Sequence, residues 1–317
     1  MRHLERFAVR DTRRVKWFAA PIAAALILIL AGCTSQELRG YMPGDPGVTN
    51  HSDAFTNFWV NSWIILLVVG GITWGLIIWA SVMYRRRKGE KGLPAQLRYH
   101  MPIEILFTVV PIILVAGFFA FTVREEASVV ANFAEEDQDV KIEVYGKQWA
   151  WDFNYLPTSN TEYDSGVYYE GIQAQEVREP SEDGERGAAT GEIDEAALPK
   201  LVLPVGANVT LDIKSRDVIH SFWIVDFHYK IDNIPGHTNT MSFVPEREGT
   251  YMGKCAELCG EYHSMMLFQV EVVSQAEYNA YIAELRAAGN VGTHGDDYNR
   301  NQNLPGTEVP EFNHESE

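Results

Sequence analysis

The 317-residue chain predicts a membrane-anchored, all-β protein: a two-helix transmembrane hairpin followed by a β-sandwich or barrel. Three observations lead there. Two uncharged apolar segments have membrane length. The short loop between them is strongly basic. Beyond them, apolar residues alternate with polar ones at the period of a strand whose one face is buried.

The N-terminus is basic, with Arg2, Arg6, Arg10, Arg13, Arg14 and Lys16, and an apolar run from about Trp17 to Leu30 follows. A basic start, a short apolar core and small residues at its end describe a signal peptide over residues 1–32. As a third membrane helix the run is short, since a span needs ~20 residues. Leu30-Ala31-Gly32-Cys33 resembles a bacterial lipobox, in which Cys33 is lipidated and becomes the mature N-terminus. That leaves Cys255 and Cys259 as the thiols of the mature domain.

Residues 33–124 hold the hairpin. Val60–Met83 and Ile105–Val123 carry no charge, and the second, at 1.5 Å per residue, spans ~28 Å, close to the ~30 Å hydrocarbon core. Between them stand Arg85, Arg86, Arg87, Lys88, Lys91 and Arg98. Short Lys/Arg-rich loops stay in the cytoplasm. The loop is therefore inside and both ends are outside, in agreement with the signal. The chain is predicted to be a multi-pass protein of the plasma (inner) membrane with its β-domain, residues 125–287, on the extracytoplasmic side.

The formal charge of −17 is unevenly spread: residues 105–317 alone hold 13 basic and 36 acidic groups. Such a field excludes nucleic acid, whose phosphates need Lys and Arg. It attracts a basic protein partner and speeds encounter, although solubility alone explains part of the excess.

Within the domain, Val140, Ile142 and Val144 alternate with Lys141 and Glu143, and Trp149, Trp151, Phe153 and Tyr155 continue on the other parity after Gly146. A parity switch at a glycine predicts a bulge or corner. Val209, Leu211 and Ile213 make another strand, and Met266, Phe268, Val270 and Val272 a further one. Residues 275–287 read as a short amphipathic helix. An acidic insertion spans about 157–199, and its segment 176–195 holds eight acids and two basic residues with almost no apolar content. It is expected as a surface insertion or flexible loop, a spacer or a docking element. Residues 288–317 are polar and expected to be disordered.

The chemistry concentrates in residues 253–266, GKCAELCGEYHSMM. Outside the membrane two thiols can form a disulfide, but C-x3-C closes a very short loop, which contributes little by chain entropy. Zinc accepts Cys and His but not Met. Copper suits the whole set, because thiolate and thioether are soft donors and imidazole is its usual nitrogen donor. A mononuclear blue site needs one Cys; two thiolates at this spacing suit a dinuclear centre in which both bridge. A second imidazole must come from elsewhere, and the candidates are His220, His228 and His237.

The run Cys255-Ala-Glu257-Leu-Cys259-Gly260-Glu-Tyr-His263-Ser-Met-Met266 resembles the CuA motif of subunit II of haem–copper cytochrome c oxidases. Asp217-Val-Ile-His220-Ser-Phe-Trp223 resembles that family's first copper histidine, Gly146-Lys-Gln-Trp149-Ala-Trp151 its aromatic segment, and Ile234-Pro235-Gly236 its turn. The likeness extends over about residues 55–275 and points to the actinobacterial lipoprotein form. It implies a cupredoxin-like Greek-key β-sandwich/barrel holding dinuclear copper (CuA). Cys255 and Cys259 would bridge both ions, His220 and Met266 would complete one, and His263 with the Glu257 carbonyl the other. The Glu257 side chain would reach magnesium at the subunit I contact. Met265, Trp151, His228 and His237 would be packing or surface residues. Trp149 would receive electrons, Asp217 would belong to the docking face, and Glu104, at the cytoplasmic start of the second helix, would guard a proton pathway. A Glu at a helix end also snorkels to the interface without any such role.

The implied activity is electron transfer within a cytochrome c oxidase, an oxidoreductase and translocase. CuA would accept electrons from cytochrome c, or a membrane-bound cytochrome c/cytochrome bc complex, and pass them to haem in subunit I, where oxygen becomes water and protons are pumped. Haem would reside only in partner subunits. The partners are subunit I, the other oxidase subunits and the lipid bilayer. A quinol-oxidase subunit II would lack the copper ligands present here. A fused cytochrome c would need C-x-x-C-H, which is absent. A lipid-anchored copper-binding or copper-delivery protein would not need two full membrane helices and Glu104.

Overall fold

A computed structural model describes residues 34–86, 98–179 and 188–295, together with residues 89, 92, 93 and 96 of the loop between the helices. The expected signal peptide, Cys33, residues 180–187 and residues 296–317 lie outside the described residues.

Two helices are long and apolar enough to cross a membrane, α1 (Ser52–Met83) and α2 (Met101–Val129). Both extend past the apolar runs that mark them in the sequence. At the start of α1, the Ser52 hydroxyl accepts from the amides of Val48 and Thr49, which fixes the turn that leads into the helix. Pro102 stands in the first turn of α2, where no amide is needed. The Glu104 carboxylate accepts from the His100 amide at 2.8 Å.

The β-domain follows. Its first sheet contains β1 (Val140–Lys147), β2 (Ala150–Leu156), β3 (Val167–Tyr169), β7 (Val209–Ser215) and β10 (Asn239–Phe243), in the order β10-β7-β1-β2-β3. The second contains β6 (Lys200–Pro204), β8 (His220–Ile224), β9 (Tyr229–Asn233), β11 (Gly249–Cys255) and β12 (Leu267–Val273), in the order β6-β12-β11-β8-β9. Alternation does what the sequence implies: Ile142, Val144, Trp151, Phe153, Leu211 and Ile213 face Leu201, Leu203, Phe222, Ile224, Phe268 and Val270 in one buried core. Phe222 stacks on Phe268 with centroids 4.7 Å apart, and Trp151 meets both edge-on at 5.2 and 5.3 Å. Two sheets face to face over such a core make the cupredoxin-like sandwich. Helix α3 (Gln275–Ala287) starts at a Ser274/Glu277 capping box and buries Tyr278, Ile282 and Leu285.

Three expectations need correction. The parity switch is no bulge: β1 pairs with β2 in unbroken register from Lys141↔Leu156 to Lys147↔Ala150, and Gln148 and Trp149 form the two-residue hairpin turn that reverses the chain. The 157–199 insertion is not a plain loop. It supplies β3 to the edge of the first sheet, and β4 (Glu176–Arg178) pairs with β5 (Ala189–Ile193) as a separate two-stranded ribbon. Finally, the tail is ordered as far as Gly295. Val291 bridges Val167, the Gly292 amide donates to Gly166 O at 3.0 Å, and the His294 amide donates to Asn154 Oδ1 at 3.0 Å. This strap covers the outer side of β2, which is why Asp152 and Asn154 are buried there.

The domain sits on the outer end of the hairpin. His228, in the left-handed backbone region at φ 63°, aims its ring nitrogens at the carbonyls of Pro43 and Ser52, at 2.8 and 3.2 Å. Phe55 of α1 stacks on Tyr229. His228 is therefore a brace between helix and sandwich.

Candidate metal centre

β8 and β11 are antiparallel neighbours, with Cys255 opposite Phe222. His220 opens β8 and Cys255 closes β11, so one end of the second sheet brings together residues 35 positions apart. The chain after Cys255 folds back as a loop and a single 3-10 turn, His263–Met265, before β12. The loop is pinned at both ends: the Cys255 amide donates to Met266 O at 3.0 Å, and the Ala256 amide to Ser221 O at 2.9 Å. Gly260 lies at φ +132°, and a Cβ there would stand 2.9 Å from the Trp149 ring, so both conformation and space require glycine.

This folding clusters the donors. Cys255 Sγ lies 3.8 Å from Cys259 Sγ, 3.9 Å from His220 Nδ1 and 3.2 Å from the Glu257 carbonyl oxygen. Cys259 Sγ lies 3.5 Å from His263 Nδ1 and 3.8 Å from Met266 Sδ. His220 and Met266 are fully buried, and both cysteines are buried free thiols. A disulfide needs sulfurs ~2.05 Å apart; these stand unbonded at nearly twice that. Two buried sulfurs therefore have two imidazole nitrogens, a thioether and a carbonyl within 3.9 Å of one or the other. That set fits soft or borderline metals, copper foremost. Met265, His237 and the Glu257 side chain stay out of it; Glu257 is exposed.

The electrostatics agree. The hydrogen bond with Cys259 holds the Cys255 thiol well below the usual range, and the same bond pushes Cys259 up. Burial alone would push the His220 imidazole down. Hydrogen bonds to Asp217 and Cys255 outweigh it, and the net shift is upward.

Behind the donors lies a shell that residue type and spacing did not reveal. The Asp217 carboxylate, expected on the docking face, turns inward: Oδ1 lies 2.7 Å from His220 Nε2, and Oδ2 accepts from the Gln148 amide at 2.7 Å. A carboxylate on the far imidazole nitrogen fixes the ring and its tautomer. The Gln148 side chain donates to Cys259 O at 2.7 Å, so the β1–β2 turn grips both halves of the centre. Gly146 has no side chain for a reason, because a Cβ there would meet the His220 ring at 2.9–3.0 Å. Trp149 is half-buried and packs edge-on against Tyr262 of the metal loop at 5.1 Å. Trp151 is wholly buried, and its Nε1 donates to Met266 O. Gln148 stands inside the aromatic segment Gly146-Lys-Gln-Trp149-Ala-Trp151, the one sequence signal that points to it. Glu104 is on α2, in the other structural unit, and no metal donor comes from the helices.

A family model described as cytochrome C oxidase subunit II, periplasmic domain, matches residues 140–273. A probable cytochrome c oxidase subunit 2 of Streptomyces avermitilis is 38% identical, over 89% of this chain and 91% of its own. The corresponding Streptomyces coelicolor protein is 36% identical over the same shares. Cytochrome c oxidase subunit 2 of Mycobacterium bovis is 31% identical, over 84% of this chain and 80% of its own.

Proposed function

Because the chain belongs to the cytochrome c oxidase subunit II family, we propose that it is the electron-receiving subunit of a haem–copper oxidase, with a dinuclear copper centre as its cofactor. The observation that carries the reading is the pair of unbonded, buried thiols 3.8 Å apart, flanked by His220, His263 and Met266. Cys255 and Cys259 would bridge the ions; His220 and Met266 would complete one, His263 and the Glu257 carbonyl the other. When bound, such a copper pair takes up and releases one electron at a time.

The chain's own residues do the rest. Asp217 orients His220 and Gln148 holds the Cys259 carbonyl, so the donors need little rearrangement. The Trp151, Phe222 and Phe268 cluster keeps water from the inner side. Trp149, half-buried beside the loop, is the residue through which electrons arrive from cytochrome c. Electrons leave toward haem in subunit I. The exposed Glu257 side chain is free to meet magnesium at that contact, and Glu104 at the start of α2 serves a proton pathway. The two helices span the plasma membrane with the copper domain outside, and Cys33 carries the lipid. The acidic β4–β5 ribbon is a docking element for the cytochrome c partner. Its base is tied to the metal loop, since the Ala174 amide donates to Met265 O at 3.1 Å.

Rapid mixing of the oxidase containing this chain with ferrous cytochrome c tests the assignment. The copper absorbance should bleach before haem in subunit I is reduced. Trp149→Phe should slow that first phase about tenfold or more with both coppers retained. Direct reduction of the haem, or an unaltered first phase in the variant, contradicts the reading.

A further inference from the structure

The outer side of β2 carries a second buried polar cluster that metal binding does not use. Asp152 Oδ1 forms an ion pair with Lys147 Nζ at 2.8 Å and accepts from the Gly171 amide at 3.0 Å, and Oδ2 accepts from Arg216 Nε at 3.2 Å. Lys147, Asp152 and Arg216 are 0%, 1% and 3% exposed. Glu170 stands 3.7 Å from Lys147 Nζ. The Arg216 guanidinium lies over the Tyr145 ring at 4.0 Å and donates to the strap carbonyls of His294 and Gly295.

The places these residues occupy in the chain matter most. Lys147 ends β1, and Asp152 lies in β2 beyond the turn Gln148–Trp149, paired with Tyr145 and so diagonal to Lys147. Arg216 immediately precedes Asp217, whose carboxylate holds both the Gln148 amide and His220 Nε2. The Arg216 amide in turn donates to Gly146 O at 3.0 Å. One buried carboxylate thus ties the roots of the two segments that present Trp149 and His220. A buried ion cluster is weak support for stability, because desolvation offsets attraction, and a packed apolar set often serves as well; fixing one registry is its best-attested use.

We propose that Asp152 is a positioning residue for electron transfer into the centre: through Lys147 and Arg216 it holds the Trp149 turn and the Asp217–His220 segment at one spacing. This rests on the role given to Trp149 above. Neither Asp152 nor its two cations touch the metal donors, and Asp217 keeps its own hold on His220, so the effect falls on the arrival of electrons.

The test uses the assembled oxidase carrying Asp152→Asn, which leaves two buried cations facing a neutral amide. At saturating ferrous cytochrome c, the limiting rate of copper reduction should fall about tenfold, since misplacement of ~1 Å is known to cost up to ~100-fold. The half-saturating cytochrome concentration, the copper spectrum and the onward copper-to-haem rate should stay as in the unaltered oxidase. Arg216→Lys, which keeps the charge but loses the fork, should slow the same step about threefold, and it decides the matter if Asp152→Asn fails to assemble. An unchanged limiting rate in the variants that assemble overturns the proposal, and so does a loss of copper that slows both steps alike. Failure of the functional reading itself would appear separately, as copper in the unaltered oxidase that ferrous cytochrome c does not reduce.

Discussion

At the scale of single residues, the donors were legible in the sequence because their chemistry resides in residue type and short spacing. Cys255, Cys259, His263 and Met266 fall within one loop and its flanks, and soft donors in that pattern limit the metal. Their supports were not legible. Asp217 meets Gln148 across 69 positions, and Gln148 meets Cys259 across 111, so only the sandwich brings them together. Asp217 shows the difference most clearly: as a surface acid it would matter for docking, whereas its carboxylate in fact sits on the His220 imidazole. Asp217→Asn in the full chain should therefore lower copper affinity about 10–100-fold, measured by competition with a chelator. An affinity within twofold of the unaltered chain would return Asp217 to a purely surface role.

At the scale of elements, period-two alternation located β1, β2, β7 and β12, and the amphipathic pattern of residues 275–287 located α3, because burial of one face imposes both patterns. Gly146 misled, since the same parity switch follows from a two-residue turn that starts two positions later, and the glycine answers to the His220 ring instead. The strap over residues 290–295 was hidden for a different reason. It has little apolar content and is held by backbone pairing and by His294, whose ring lies 3.6 Å from that of Tyr168. Burial disfavours the charged ring and holds the His294 pKa below its ordinary 6.5. The unfolded strap therefore binds more protons than the docked one, so docking strengthens as pH rises and weakens as pH falls below about 6.5. Hydrogen exchange at the Gly292 amide should accelerate, relative to its intrinsic rate, as pH is lowered from 7.5 to about 5.5, and His294→Gln should remove that dependence. Protection that is flat with pH in the unaltered chain would exclude His294 as its origin.

For the whole molecule, the charge distribution and the two apolar helices set the broad class before any motif is considered. A −17 chain with 36 of its 43 acids in residues 105–317 suits a basic protein partner. If the β4–β5 ribbon takes part, deleting residues 176–195 should weaken association with cytochrome c and flatten its dependence on salt; association unchanged at low and high salt would make the ribbon a spacer. The central claim remains that one loop and one strand end build a two-copper centre. Its most direct measurement is the copper content and electron paramagnetic resonance spectrum of the full-length chain, purified in detergent and loaded with copper. Two ions per chain are expected, with the hyperfine pattern of one unpaired electron shared between two copper nuclei, and Cys259→Ser should abolish that pattern. A single copper per chain, or a Cys259→Ser variant that keeps the shared spectrum, would contradict it.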